Sequence, residues 1–243
     1  MTLLRYWLQV IVSISVIVFI FGIMWKIVRW TALGQVLPVT MFPAPKNRVQ
    51  ALVRVIWESL SFRPMWSAGR EAWLAAWGFH LVLALLLLGH LVGISQEGRQ
   101  FMAWGLSAAA SEEMSARMGM ALGAALTLWV LYLTLRRLVI PSLRQVSNWE
   151  DYAVLVLLLG ITVSGDIMRL KGGVDLGEVR MFVAELFKLR VVAVPDNLWF
   201  KVHLTLISLL LIWFPLGKLL HSCGIFFTRW LINRPFPREV MSK

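Results

Sequence analysis

One cysteine, Cys223, and four histidines are all that this 243-residue chain holds of the side chains that most often bind transition metals. A lone cysteine excludes an internal disulfide, a c-type haem attachment motif and a cysteine-ligated iron–sulfur cluster within the chain. Any such cluster belongs to a partner. Charge is also scarce: 15% of residues are charged against 59% hydrophobic, and the mean hydropathy is +0.74. Those values exceed what an ordinary soluble domain carries. No polar stretch is long enough for a separate soluble catalytic domain, and no nucleotide-binding motif occurs. Acidic residues are few, 13 against 24 lysines and arginines. The excess of cations lies in loops beside apolar runs, where membrane orientation accounts for it and nucleic acid is not needed.

The expected fold class is therefore all-α, an integral membrane bundle of five transmembrane helices forming one domain over residues 1–243. A hydrocarbon core needs about 20 helical residues, and five runs meet that: roughly 6–25, 73–94, 116–135, 151–168 and 199–220. The first run is too long for a signal-peptide core, lacks a small-x-small cleavage site and is followed by Lys26 and Arg29, so it is expected to be retained. The first loop carries Lys26, Arg29, Lys46, Arg48, Arg54, Arg63 and Arg70. The third carries Arg136, Arg137 and Arg144, and the tail Lys218, Arg229, Arg234, Arg238 and Lys243. The other two loops offset their cations with Glu97, Glu112, Glu113, Asp175, Glu178, Glu185 and Asp196. The positive-inside rule then puts the N-terminus outside and the C-terminus in the cytoplasm, as in the plasma membrane of a bacterium.

Shorter signals lie between the spans. Val49, Leu52, Val53, Ile56 and Leu60 recur at helical spacing opposite Gln50, Arg54, Glu58 and Ser61, which predicts an interfacial helix ended by Arg63-Pro64. Val179, Phe182, Val183 and Leu186 predict a second one on the outer side. Asn148 with Asp151 is a candidate cap for the fourth span and Asp196 for the fifth, while Glu112 and Glu113 are expected to open the third. Gly119-x-x-x-Gly123 permits close approach of a helix or of a flat ligand.

All four histidines fall inside apolar runs, His80 and His90 in the second, His203 and His221 in the fifth. An intramembrane ionisable group is a functional-site hypothesis by default. Two opposed neutral imidazoles are the axial set of a low-spin b-type haem, so four on two helices suit two haem b groups. The second and fifth spans run antiparallel, which pairs His80 with His221 near the cytoplasmic side and His90 with His203 near the outer side. Ten residues of helix rise about 15 Å and eighteen about 27 Å. The mismatch leaves about one turn of offset at each haem, and Pro215, which removes the bond to Leu211, lets the fifth helix bend between its ligands. The alternatives are a proton relay in a histidine-based proton or ion transporter without haem, and a structural anchor. No internal repeat of the kind transporters carry links the two halves.

The histidine spacings, the five spans and the stretch Phe214-Pro215-Leu216-Gly217-Lys218-Leu219-Leu220-His221 resemble the membrane cytochrome b subunit of respiratory nitrate reductase, the gamma subunit. The continuation Ser222-Cys223-Gly224-Ile225-Phe226-Phe227 is similar to a sister group, the cytochrome b subunit of the Dsr sulfite-reduction-associated membrane complex. The resemblance implies electron exchange with membrane quinone or quinol near the outer haem of His90 and His203. It also implies transfer through the inner haem to a cytoplasmic iron–sulfur subunit, in a complex whose terminal chemistry belongs to other subunits. It places Gly89 beside the quinone. The nitrate reductase subunit uses a lysine past the second span there, whereas residues 95–114 of this chain offer only Arg99. Arg99, Asp166 and Arg169 are candidates for bonding the quinone, or for anchoring helix ends at the interface.

Overall fold

A computed structural model describes residues 2–33, 41–67, 69–233 and 235. The tail cations Arg234, Arg238 and Lys243 of the orientation argument lie outside the described residues. Every regular element described is helical: α1 Thr2–Leu33, α2 Arg48–Ser61, α3 Arg63–Trp66, α4 Arg70–Gln96, α5 Ala108–Val139, α6 Pro141–Gln145, α7 Trp149–Lys171, α8 Leu176–Phe187, α9 Leu198–Trp213 and α10 His221–Ile232. Among the described residues four helices, α1, α4, α5 and α7, are long and apolar enough to cross a membrane, and only 6–11% of their most apolar windows is buried inside the protein. Apolar side chains that face outward at this density need lipid as their solvent. The protein is a multi-pass membrane protein.

The fifth predicted span differs from expectation. Instead of one helix over residues 199–220, α9 stops at Trp213 and α10 begins at His221, so a fifth crossing exists only if this broken pair serves as one. Pro215 has no N–H to continue the ladder, and the carbonyl of Trp213 instead accepts from the N–H groups of Leu216 and Gly217, both at 3.0 Å. The Trp213 indole lies against Gly217, where an added Cβ would come within 2.6 Å of it. His203 and His221 therefore do not share one continuous helix, and the rise and common face expected for eighteen helical residues do not apply.

Two compact units divide the chain. One comprises residues 1–17 and 78–211, the other 18–77 and 212–243. In the first, α7 packs against α5 across the glycine pair. Arg169 lies on Gly119 and Asp166 on Gly123, with no room there for a side chain. Thr127 Oγ1 donates to Asp166 at 2.6 Å, and Arg137 bridges Asp151 at 3.2 Å. Helix packing is thus what the Gly119-x-x-x-Gly123 motif serves. Asn148 and Asp151 close a reciprocal capping box on α7, as expected. Two cap expectations are corrected. The α5 helix opens on Ser107, which places Glu112 and Glu113 in its second turn, and α9 is capped by Asn197, whose side chain accepts from Phe200 N, while Asp196 pairs with Lys201.

The amphipathic segment after α7 forms α8, and its apolar face packs inward: Phe182 joins Val194 and Phe200 in a core flanked by Leu8, Val179 and Val183. Gln9, 1% exposed, clamps the neighbouring loop by donating to Arg190 O and accepting from Val192 N. A glutamine in an apolar helix is costly unless satisfied, and here both ends of its amide are used.

In the second unit the face of α2 that turns inward is made of small residues, Ala51, Val55 and Ser59. Its apolar stripe, Val49, Leu52, Val53, Ile56 and Leu60, stays exposed. Glu58 joins Arg54 at 2.9 Å to Arg229 of α10 at 3.5 Å. On α1, Gly22 receives Pro215 and Trp30 stacks on Phe227, centroids 5.7 Å apart.

Replacing Gln9 with Leu strips partners from the Arg190 carbonyl and the Val192 N–H, both in part-buried bonds, at about 1 kcal/mol for each bond lost. A thermal melt of the detergent-solubilised protein is expected to fall by several degrees, and a Gln9→Leu melt equal to wild type would remove the clamp from the account.

Candidate functional site

A neutral imidazole has one donor and one acceptor nitrogen, and each needs a use inside an apolar helix. The two nitrogens of these histidines are used differently. His90, on α4, has Nδ1 2.8 Å from the carbonyl of Leu86, one turn back. His221, at the start of α10, has Nδ1 2.8 Å from the carbonyl of Lys218. His203, on α9, has Nδ1 2.9 Å from the carbonyl of Ile161, on α7. A carbonyl only accepts, so in all three rings Nδ1 carries the proton and donates it. In His90 and His203 Nε2 then keeps its lone pair, the form in which a neutral histidine binds a metal. His80, half-buried on α4, stands edge-on to Phe79 with centroids 5.1 Å apart.

The cradle around His203 comes from a helix whose role the sequence did not reveal. Ser164, 2% exposed, donates to Ile161 O at 2.9 Å and lies 3.0 Å from His203 Nδ1. Gly165 lets the ring approach, since a Cβ there would lie 3.3 Å from its Cε1. Residues 161, 164 and 165 of α7 therefore fix the plane of the ring. A serine bonded back to its own helix is common in apolar segments, so only tertiary packing distinguishes Ser164.

His90 and His203 belong to the same unit. That is the pair expected at one haem. His80 belongs to this unit as well, while His221 belongs to the other. Gly89 and Gly93, one turn apart beside His90, have nothing within 4 Å of where a Cβ would stand. Arg99 lies at the surface, 3.6 Å from Glu112 and 3.8 Å from Glu97. Asp166 and Arg169 point to α5, as described above.

Among the described residues no three His, Cys, Asp or Glu groups converge as a protein-ligated ion requires. A haem asks less of the chain, one nitrogen on each face of the iron, and a ring that donates through Nδ1 and keeps the Nε2 lone pair, as at His90 and His203, is the donor that role needs. The residues present fit the group.

Known membrane subunits resemble this chain over much of its length. The chain is 27% identical to the Hdr-like menaquinol oxidoreductase cytochrome b-like subunit of Archaeoglobus fulgidus, over 88% of this chain and 75% of that protein. It is 23% identical to the protein of the same description in Archaeoglobus profundus, over 87% and 74%. To the nitrate reductase gamma chain of Bacillus subtilis it is 28% identical over 59% of this chain and 68% of that one. A family model for the nitrate reductase gamma subunit matches residues 53–237, most of the chain including all four histidines, and the protein belongs to that family of cytochrome b-like membrane subunits.

Proposed function

We propose that this chain is a two-haem cytochrome b that carries electrons between a membrane quinone pool and a cytoplasmic iron–sulfur partner. The observation that carries the proposal is the uniform state of His90, His203 and His221, each donating Nδ1–H to a main-chain carbonyl at 2.8–2.9 Å. A proton relay needs both nitrogens free to exchange; these rings have one committed. His90 and His203 hold the outer haem, His80 and His221 the inner. In this reading residues 1–243 form one membrane domain with five crossings, the broken α9–α10 pair serving as the fifth. The N-terminus is outside and the C-terminus in the cytoplasm of a plasma membrane. The Gln9 clamp supports this sidedness, since it ties the start of α1 to the loop between α7 and α9.

Bis-histidine haem supplies a one-electron carrier that does not bind oxygen. The chain does the rest. Nδ1 donation to a carbonyl raises the basicity of the ligating ring and favours the more positive iron. The α7 cradle sets the His203 plane, and lipid-facing side chains exclude water along α4 and α7. We propose Gly89 and Arg99 at the margin of the quinone site. The relatives are described as menaquinol oxidoreductase subunits, which supports menaquinol as the exchangeable substrate and, with the tail 222–227, a setting in dissimilatory sulfur metabolism. The Bacillus subtilis match supports the second reading, the gamma subunit of a respiratory nitrate reductase. In either setting further subunits perform the terminal chemistry.

A pyridine haemochrome assay on the purified protein is expected to give two haem b per chain; a full-length folded preparation without haem overturns the proposal. His80→Ala and His221→Ala are each expected to remove the same haem, seen as loss of the same low-spin electron paramagnetic resonance signal. Loss of different signals refutes the pairing. Ser164→Ala removes one acceptor from His203 Nδ1–H, so the outer-haem potential is expected to rise by up to about 60 mV, the equivalent of one hydrogen bond. Ser164→Thr restores it, and a potentiometric titration showing no change in the alanine variant excludes Ser164 from positioning the ring.

A further inference from the structure

We infer, resting on the two-haem, quinone-linked reading above, that Arg180 supplies the hydrogen-bond donor for a quinone carbonyl beside His90. The sequence offers Arg99 as the only cation in the loop after α4, but the fold has committed it: its guanidinium lies between Glu97 and Glu112, with 55% of the side chain exposed. The cations nearest α8 in sequence are committed too. Lys188 and Arg190 share Glu185, Lys201 pairs with Asp196, and Lys171 lies over the ring of Trp199.

Arg180 differs from all of these. It is half-buried on α8, and its Nε donates to the carbonyl of Gly93 at 3.4 Å. Among the described residues no carboxylate lies within ion-pair distance of it. Gly93 is three residues past His90, one turn along the same helix. Neither Gly89 nor Gly93 has an atom within 4 Å of where a Cβ would stand, so the helix surface beside this contact is open. A guanidinium whose Nη groups have no carboxylate, set against a strip of bare backbone next to an axial histidine, is a donor waiting for an oxygen acceptor. A half-buried guanidinium with one long bond to a carbonyl has donor capacity left on its Nη groups, and a polar acceptor on a flat apolar ring answers both features of the place: the strip takes the ring and the fork takes its oxygen. Because guanidinium stays protonated in proteins, Arg180 binds and orients the quinone but takes no proton from it.

The neighbouring alternative is a haem propionate, which would use the same fork. The two are separated by measuring equilibrium binding of menadione to the detergent-solubilised full chain through quenching of tryptophan fluorescence, with haem content and midpoint potentials determined on the same preparations. Arg180→Gln is expected to weaken menadione binding about tenfold or more, the loss of one hydrogen bond from a charged donor. Both haems and their potentials should stay in place, and Arg180→Lys should be intermediate. Menadione binding unchanged in Arg180→Gln overturns the inference. So does weakened binding that comes only with loss or shift of the outer haem, since the fork then serves the propionates. If the glutamine variant does not assemble, the lysine variant carries the same comparison. Wild-type protein without haem refutes the parent reading instead, an outcome the menadione constants do not share.

Discussion

An imidazole in an apolar helix keeps its place only when the proton on one nitrogen has an acceptor, and this protein meets that requirement with main-chain carbonyls. His90 and His221 use carbonyls of their own chain segment, three or four residues back, so their orientation is nearly a local property of the helix. His203 uses a carbonyl on α7, so its orientation exists only if α7 and α9 pack as they do. The consequence is chemical. A ring held through Nδ1 keeps its basic lone pair on Nε2, which is the form a ligand role requires.

The packing of α7 follows from its small residues. Gly160 and Gly165 admit Leu206 and His203 of α9, while Asp166 and Arg169 reach across to Gly123 and Gly119 of α5. In lipid no hydrophobic force drives helices together, so close approach and interhelical hydrogen bonds decide which faces meet. The acid of α7, an expensive group in hydrocarbon, is held by Thr127. One helix thereby fixes both the His203 ring and a neighbouring helix.

Elsewhere the usual sense of amphipathicity is reversed. The inward residues of α2 are small, and its large apolar side chains face outward. In water that arrangement would aggregate; at a bilayer interface the outward face has lipid to enter. The ion pairs of Glu58 with Arg54 and Arg229 join α2 to α10, giving the segment a fixed place without an apolar core of its own.

Much of this was determined by the sequence alone. Apolar runs specify α1, α4, α5 and α7 because hydrocarbon tolerates only helices with every backbone bond made internally. The Asn148–Asp151 box and the inward face of α8 are equally local, set by residues three or four apart. The four histidines were legible as a candidate site because they are the whole histidine complement and fall in two apolar runs. What the tertiary structure decided are matters of distance between segments far apart in the chain: the break after Trp213, where Pro215 and the Trp213–Gly217 contact end a helix that hydropathy would continue; the Ser164–Ile161 cradle, 39 residues or more from the ring it holds; and the contrast between Arg99, taken by Glu97 and Glu112, and Arg180 on Gly93, 87 residues away. Periodicity and hydropathy report which face of a segment is apolar, but which charge meets a carboxylate and which meets a main-chain carbonyl is settled only when distant helices meet.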